Sequence, residues 1–263
     1  MHPSAKRTEV AITIDTEFNI AGAFSDFARF RPIAERVVDC PVEGRSEGLG
    51  FMLEIFARYG IRATFFVEAL NYHYFGDGPM AGVCRRLQQA GQDIQLHIHP
   101  CWTAFDGDRL VVAKPDDSCA GRSLDSMTDL IRRGIDAFGR WGVARPVAMR
   151  TGNLVADRVV YRAMAALGIR VASNVCVGVV RLPDPDLQLT CGRHRIDGVV
   201  EIPVTTFEDH RLMGRPHLRP LQVTACGWPE MEHVLWAARR GGLEQVVIIT
   251  HPFEYVRTNS RRY

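Results

Sequence analysis

Two histidines stand two residues apart in the stretch QLHIHPCW, residues 95–102, directly before a proline. The stretch indicates a strand whose polar residues share one parity, so His97 and His99 should project from the same face. Two imidazoles together with one carboxylate suit zinc, iron, nickel, cobalt or manganese, with water completing the coordination shell. The pair therefore predicts one divalent metal site. The alternative for each histidine alone is a hydrogen-bonded residue at a strand end.

Further ionisable side chains stand where other predicted strands end. Asp15 and Glu17 share one parity at the end of the first strand, and His251 closes the last strand. The comparable positions on the second, fourth and fifth strands hold Glu68, Arg150 and Asn174. Function in parallel α/β folds gathers at the carboxyl ends of the strands, so we expect these residues to form one site. A plain salt bridge between the two acids and the arginine is the alternative.

The elements that must position these residues alternate along the chain. Apolar runs predict strands at 9–17, 62–70, 93–100, 146–152, 170–177, 199–207 and 245–253. Amphipathic patterns predict helices at 47–60, 80–91, 123–142, 157–168 and 230–242, with Ser123 as an N-cap. This alternation implies an α/β fold of parallel strands joined by helical crossovers, either a barrel or a doubly wound sheet. No nucleotide-binding glycine motif follows the first strand. No linker interrupts the pattern, so we expect a single domain over 1–263.

Three segments do not fit the alternation. The insertion 18–46 contains Phe18, Phe24, Phe27 and Phe30, which favours an ordered cover rather than a disordered loop. The segments 101–122 and 178–198 resemble loops or small hairpins. Long loops in compact domains are commonly functional or disordered.

Composition excludes several classes of function. The chain has 263 residues, of which 46% are hydrophobic, and a net charge of +2 without a basic stripe, so nucleic acid is not an expected partner. Seven cysteines, an odd number without a CxxC pair, indicate reduced thiols and a cytoplasmic location. We expect no signal peptide and no membrane span, which needs roughly 20 apolar residues. The basic end RTNSRRY is expected to be a solvated tail.

The motifs AITIDTEF, RATFFVEAL, GQDIQLHIHP, MRTGN and VVIITHP, in this order and at these spacings, resemble the polysaccharide deacetylases. These are the carbohydrate esterases of family four, with the nodulation-deacetylase homology domain. The similarity runs from about residue 9 to residue 253 and points most to the branch of lipopolysaccharide and capsule biosynthesis. It implies a distorted, TIM-like (β/α)7 barrel. It also implies removal of an N-acetyl group from a sugar of a polysaccharide, a lipopolysaccharide or a precursor.

The resemblance also implies a metal ligand set. The first histidine of the family motif matches His97, and Glu17 is the candidate acid, as in members that carry an acid two residues after the base. The second histidine of the motif usually comes four residues later, where this chain has Cys101. His99 is therefore predicted as the third ligand, because residues i and i+2 of a strand can reach one ion and Pro100 disfavours a helical turn there. Zinc is the first expectation, with cobalt, nickel, manganese and iron as alternatives.

Catalytic roles follow from the same resemblance. Asp15 matches the general base, Arg150 the arginine that keeps the base ionised and oriented, and His251 the general acid that protonates the leaving amine. Further substrate contacts are predicted at Glu68, Trp102, Asn153 and Asn174, and Trp102 has plain packing as its alternative. The substrate would be an N-acetylated sugar, free, nucleotide-linked or lipid-linked. The sequence leaves the oligomeric state open.

Two other functions fit the same residues. One is another metal-dependent amidohydrolase or deiminase that acts on a small molecule, which would be recognised by ammonia release instead of acetate release. The other is a non-catalytic sugar-binding module with a degenerate site, which metal analysis would distinguish.

Overall fold

The computed structural model describes residues 7–256 of the chain, and the predicted tail RTNSRRY lies outside them. Within these residues the fourteen strands are β1 (Glu9–Thr16), β2 (Pro41–Val42), β3 (Arg45–Ser46), β4 (Thr64–Glu68), β5 (Asp93–Ile98), β6 (Phe105–Asp106), β7 (Arg109–Leu110), β8 (Ala148–Thr151), β9 (Val171–Ala172), β10 (His194–Ile196), β11 (Val199–Glu201), β12 (Thr206–Leu212), β13 (Arg215–Pro220) and β14 (Gln245–Thr250). The seven α-helices of the same residues are α1 (Glu35–Asp39), α2 (Leu49–Tyr59), α3 (Tyr72–Phe75), α4 (Gly78–Gln89), α5 (Leu124–Arg140), α6 (Arg158–Ala166) and α7 (Trp228–Arg240).

One eight-stranded sheet carries the fold, in the order β10-β11-β9-β8-β5-β4-β1-β14. Its seven strands from β11 to β14 run parallel, and only β10 pairs antiparallel, with β11. The sheet curls into a half-barrel. Two hydrogen bonds to β14 bridge the open side of the half-barrel. The Thr205 amide donates to the Val247 carbonyl over 3.0 Å, and the Ile249 amide donates to the Leu221 carbonyl over 3.1 Å. The predicted single-domain α/β barrel of seven parallel strands is confirmed.

Helix α5 packs closely against β5, the strand that leads to the two histidines. Ser123 accepts a hydrogen bond from the Ser126 amide, which confirms the predicted N-cap. The buried residues of α5 recur at the spacing of one helix face, and Gly134 lies at its centre. A Cβ on Gly134 would lie 2.8 Å from Ile98 Cδ1 and 2.9 Å from Leu96 Cδ1, so only glycine lets the helix approach β5 this closely. The packing therefore restrains the end of β5, where the site begins.

Two predicted strands are shorter by half or more than the sequence pattern indicates. Residues 199–207 were expected as one strand, but the chain leaves the sheet after Glu201 and begins β12 at Thr206. Pro203 lies between them and has no amide to donate to a neighbouring strand, which explains the break. Residues 170–177 pair only at Val171–Ala172, and the chain then turns inward to place Asn174 in the core.

The insertion 18–46 is ordered and packs on the main core through its aromatic rings. Phe18 is buried and contacts Phe75, Phe24 stacks on Phe105, and Phe27 also packs on Phe105. Phe30 is the exception, since it is 39% exposed. A small hairpin is present in 101–122 as β6–β7. The segment 178–198 supplies only the strand β10, which pairs with β11 in the stretch predicted as the strand 199–207.

Among residues 7–256, no helix is long and apolar enough to cross a bilayer. All seven cysteines are within this range, and each is a free thiol.

Candidate active site

Three ligand atoms converge at the carboxyl ends of β1 and β5. The Oε2 atom of Glu17 lies 2.8 Å from His99 Nε2 and 3.4 Å from His97 Nε2. Both imidazoles project to the same side of β5, with ring centroids 4.9 Å apart. One carboxylate oxygen and two imidazole nitrogens at these separations form a three-ligand set that leaves positions for water, the arrangement of catalytic zinc sites.

The opposite nitrogen of each imidazole has a fixed partner. His97 Nδ1 lies 2.9 Å from the carbonyl oxygen of Arg150, which can only accept, so Nδ1 carries a proton and Nε2 is the nitrogen available to a metal. His99 Nδ1 donates to Asp117 Oδ2 over 2.7 Å. A carbonyl or carboxylate behind each histidine is the usual support for a metal ligand, because it orients the ring and raises its basicity. The donor set therefore fits a divalent metal.

Opposite charges couple Glu17 to His99 within the ligand set. Burial disfavours the charge of Glu17, but the His99 and His97 imidazoles outweigh it and hold the pKa of Glu17 well below its usual range. Burial likewise disfavours the charge of His99, yet Glu17 and Asp117 raise the pKa of His99 well above its usual value. A proton thus occupies the space between His99 and Glu17, and a divalent ion would displace that proton on binding.

Space for the His99 ring comes from Gly152. A Cβ at this position would lie 2.5 Å from both His99 Cε1 and His99 Nδ1, closer than any side chain could be tolerated. The glycine of the MRTGN motif is therefore part of the ligand geometry.

A buried ion pair lies beside the ligand set. Arg150 donates from Nη1 to Asp15 Oδ1 over 2.6 Å, and both side chains are almost wholly buried. The other two guanidinium nitrogens donate to the Ser173 carbonyl at 3.0 Å, the Ser173 hydroxyl at 2.8 Å and the Thr13 hydroxyl at 3.0 Å. The Phe66 ring lies 4.4 Å from the guanidinium carbon. Since every guanidinium nitrogen donates to a partner, the arginine is held rigidly and fixes the orientation of the Asp15 carboxylate.

A histidine faces this carboxylate from the last strand. His251 Nε2 lies 4.0 Å from Asp15 Oδ2, and His251 Nδ1 lies 2.7 Å from Glu254 Oε1. Burial disfavours the charged imidazole, but the hydrogen bond to Glu254 and the charge of Asp15 outweigh it and raise the pKa of His251. The raised pKa favours the protonated form of His251, which presents Nε2 to the same space as Asp15.

These groups open on one cavity of about 260 Å³. Its lining combines the polar residues described above with apolar residues and two amides, namely Asp15, Glu17, His97, His99, Asn153, Leu154, Val179, Gln222, Ile249 and His251. The arrangement places a buried carboxylate, an imidazole with a raised pKa and a candidate metal-ligand set around one space. That combination can activate water and protonate a leaving group.

Of the four predicted substrate residues, only Asn153 lines this cavity. Its amide nitrogen donates to Asp117 Oδ2 over 2.8 Å, and its backbone adopts a φ of +55°. Asn174 is instead fully buried and accepts a hydrogen bond from the Thr151 amide over 2.9 Å. Trp102 is 1% exposed and packs on Phe75 with ring centroids 5.7 Å apart, so its alternative as a packing residue fits the structure.

Glu68 is likewise buried away from the cavity. Its carboxylate accepts from the Leu70 amide over 2.8 Å and from the Asn71 amide over 2.7 Å. Burial raises the pKa of Glu68 to about 7. The position at a strand end led to the prediction of substrate contact, but the side chain turns back on the chain and stabilises the turn after β4.

Sequence reasoning did not identify Asp117, Glu254 and Gln222. Asp117 lies in a loop without periodicity, and no residue type nearby indicates that it reaches His99 from 18 positions away. Glu254 carried a detectable signal, since it follows His251 by three residues and a short turn brings the two together. Gln222 reaches the cavity only through the bridge between its own segment and Ile249.

No protein family model and no curated protein sequence matches the chain. Solved structures do match. A Mycobacterium smegmatis protein assigned to the polysaccharide deacetylases superposes with a TM-score of 0.57 at 19% identity, over 96% of this chain and 79% of that one. The chitin deacetylase of Colletotrichum lindemuthianum gives 0.41 at 15% identity, over 90% and 84% of the chains. A pseudoenzyme of carbohydrate esterase family four from Bacillus anthracis gives 0.46 at 10% identity, over 96% and 57%. The first similarity shows that the chain shares the fold of that protein.

Proposed function

We propose that the chain is a metal-dependent N-deacetylase of carbohydrate esterase family four that acts on an acetylated sugar. The observation that carries the proposal is the shared cavity. The Glu17, His97 and His99 ligand atoms and the Asp15 and His251 proton-transfer groups all line it. The sequence motifs and the similarity of fold to a protein assigned to the polysaccharide deacetylases support the same conclusion.

Glu17 Oε2, His97 Nε2 and His99 Nε2 would hold the metal, with zinc as the first candidate because the ligands are two imidazoles and one carboxylate. A bound divalent ion would lower the pKa of a water molecule and polarise the acetyl carbonyl. His97 and His99 keep their Nε2 atoms directed at this place through the Arg150 carbonyl and the Asp117 carboxylate.

Asp15 is the general base of the proposed reaction. It accepts the proton of the attacking water on Oδ2, the carboxylate oxygen that Arg150 does not occupy. The four satisfied donors of Arg150 keep the carboxylate in one orientation through the reaction, so little reorganisation is needed.

His251, whose Nε2 lies 4.0 Å from Asp15 Oδ2, is the general acid of the proposed reaction. The raised pKa favours the protonated imidazole, and Nε2 delivers that proton to the leaving nitrogen of the sugar. Glu254 supports this role by accepting from Nδ1, which orients the ring and stabilises its charge. Proton removal and proton delivery are thus assigned to separate groups.

The substrate proposal is an N-acetylated sugar of a polysaccharide, a lipopolysaccharide or a nucleotide- or lipid-linked precursor. The amides of Asn153 and Gln222 at the cavity offer hydrogen bonds to sugar hydroxyl groups. The cytoplasmic location stays a prediction from the odd number of cysteines.

The test is acetate release from a panel of substrates by the purified chain, with and without a chelator and with zinc restored. The panel contains N-acetylglucosamine oligomers, a nucleotide-linked N-acetyl sugar and a lipid-linked one. We expect acetate from at least one class, loss on chelation and recovery with zinc. Ammonia release without acetate would favour another amidohydrolase. Sugar binding without any turnover would favour a binding module.

A further inference from the structure

A second group of metal-ligating side chains lies on the hairpin of β12 and β13, which forms its own two-stranded sheet. His210 and His217 are cross-strand partners, and their rings stack with centroids 4.5 Å apart. Both direct Nδ1 at the same oxygen, Asp209 Oδ1, over 2.8 Å and 2.7 Å. None of these residues belongs to the cavity of the proposed deacetylase site.

An irregularity of the strand brings these three residues to one side. Consecutive residues of a regular strand face opposite ways, so Asp209 and His210 would ordinarily diverge. The register of the hairpin shifts between Glu208 and His210, which is a β-bulge. The bulge inserts an extra residue into β12 and re-aims its side chain, which places Asp209 on the face that His210 shares with His217.

The three ligand atoms lie within 4.8 Å of one another, and the two histidines are accessible from solvent, with 58% and 55% of their side chains exposed. Two imidazole nitrogens and a carboxylate oxygen are a ligand set for zinc, nickel or copper, with water completing the shell. The second oxygen of Asp209 accepts from Arg219 over 3.3 Å, which orients the carboxylate and leaves Oδ1 for a cation. Arg219 also donates to Glu230 over 2.6 Å, so its positive charge is partly neutralised.

We propose that Asp209, His210 and His217 form a second binding site for a divalent transition metal, separate from the catalytic cavity. The ion takes the place of the two protons that His210 and His217 share with Asp209 Oδ1. Because its ligands come from both strands, the bound metal cross-links β12 to β13. The role is structural, since the site holds no group that faces the cavity.

Zinc stoichiometry tests the proposal without reference to catalysis. The metal-free full chain is titrated with Zn²⁺, and bound zinc is counted for wild type, His97→Ala, the double variant His210→Ala/His217→Ala, and His233→Ala as an exposed histidine control on α7. We expect two equivalents for wild type and His233→Ala, and one equivalent for His97→Ala and for the double variant. Proton resonances of His210 and His217 should shift on Zn²⁺ addition to His97→Ala.

Two results would overturn the hairpin site. Equal zinc stoichiometry and affinity for the double variant and wild type would overturn the hairpin site, as would complete loss of zinc from His97→Ala with unmoved His210 and His217 resonances. Because the double variant and the His210 and His217 resonances report on the hairpin itself, the outcome does not depend on whether the chain releases acetate. Failure of the deacetylase proposal would appear in acetate release and leave this result unchanged.

Discussion

Arg150 contacts Asp15 through its guanidinium and His97 through its carbonyl oxygen, over 2.6 Å and 2.9 Å. The parallel register of β5 and β8 places Arg150 directly opposite His97, while its side chain reaches across to β1. One residue therefore orients both the proposed base and a proposed metal ligand. Displacement of Arg150 would disturb both functions together, whereas changes at Asp15 or at His97 should separate them.

Asp117 should control metal affinity through His99. In Asp117→Asn the amide still accepts from His99 Nδ1 but carries no charge, so the imidazole becomes a weaker ligand. Loss of such a partner typically weakens metal binding about 10–100-fold. We expect a zinc dissociation constant higher by about this factor, measured by competition with a chromophoric chelator. The matched control is Asp116→Asn, because Asp116 is exposed and pairs with Arg122 instead. Equal affinity for all three proteins would contradict the role of Asp117.

His251→Ala should keep its metal and lose turnover. General acids contribute typically about 10²–10⁴-fold, so acetate release from an N-acetyl sugar should fall by about that factor. Activity on an acetyl ester with a good leaving group should fall much less, because that group departs without protonation. The measurement is the activity of His251→Ala on both substrates, with the exposed-residue variant His233→Ala as the control. An equal loss on amide and ester would show that His251 does not protonate the leaving group.

Glu254→Gln should move the alkaline limb of the pH–rate profile to lower pH. Burial disfavours the charge of His251, and Glu254 is the strongest of the neighbours that nevertheless raise the pKa of His251. Without that carboxylate the pKa of His251 falls, so the acid loses its proton at lower pH. The pH dependence of kcat/KM reports this limb for the free enzyme. Glu232→Gln on the exposed face of α7 is the control. An unmoved limb, or a shift to higher pH, would refute the coupling.

Glu201 should make the unfolding free energy depend on pH. Burial raises the pKa of Glu201 to about 7, above its value in the unfolded chain, so the stabilising contribution is complete at low pH and is lost as pH rises toward 7. Glutamine can accept from the Asn174 and Val175 amides, as Glu201 does, without ionising. Between pH 5 and 7, the unfolding free energy of Glu201→Gln, measured in urea, should rise relative to that of wild type by up to about 1.4 kcal/mol per pH unit. If the unfolding free energies of wild type and Glu201→Gln changed in parallel with pH, the role of Glu201 would be contradicted.

The periodicity of the sequence predicted most of the fold and the central geometry of the candidate site. The alternation of strands and helices predicted seven parallel strands, and the sheet has them. The shared parity of His97 and His99 predicted rings on one face, and both rings approach Glu17. These features follow from local spacing, which the sequence displays directly.

Other features depend on tertiary position, which local spacing does not encode. Glu68 and Asn174 stand at strand ends as a site residue would, but their side chains satisfy backbone amides in the interior. Asp117 reaches His99 from an aperiodic loop, and the hairpin of Asp209 follows a proline that interrupts an apolar run. Whether a polar side chain at a strand end faces a cavity or caps a turn depends on how the following loop folds.

The paired variants Asp15→Asn and Glu17→Gln test the central claim most directly, by metal content and acetate release on the same N-acetyl sugar. To isolate the cavity, both changes are made in the His210→Ala/His217→Ala background. Asp15→Asn should keep one equivalent of zinc and lose about 10²–10⁴-fold in acetate release, because only proton transfer is removed. Glu17→Gln should lose the zinc, and activity with it. Loss of zinc from Asp15→Asn with retention in Glu17→Gln would reverse the two roles, and unchanged acetate release in both would contradict the deacetylase account.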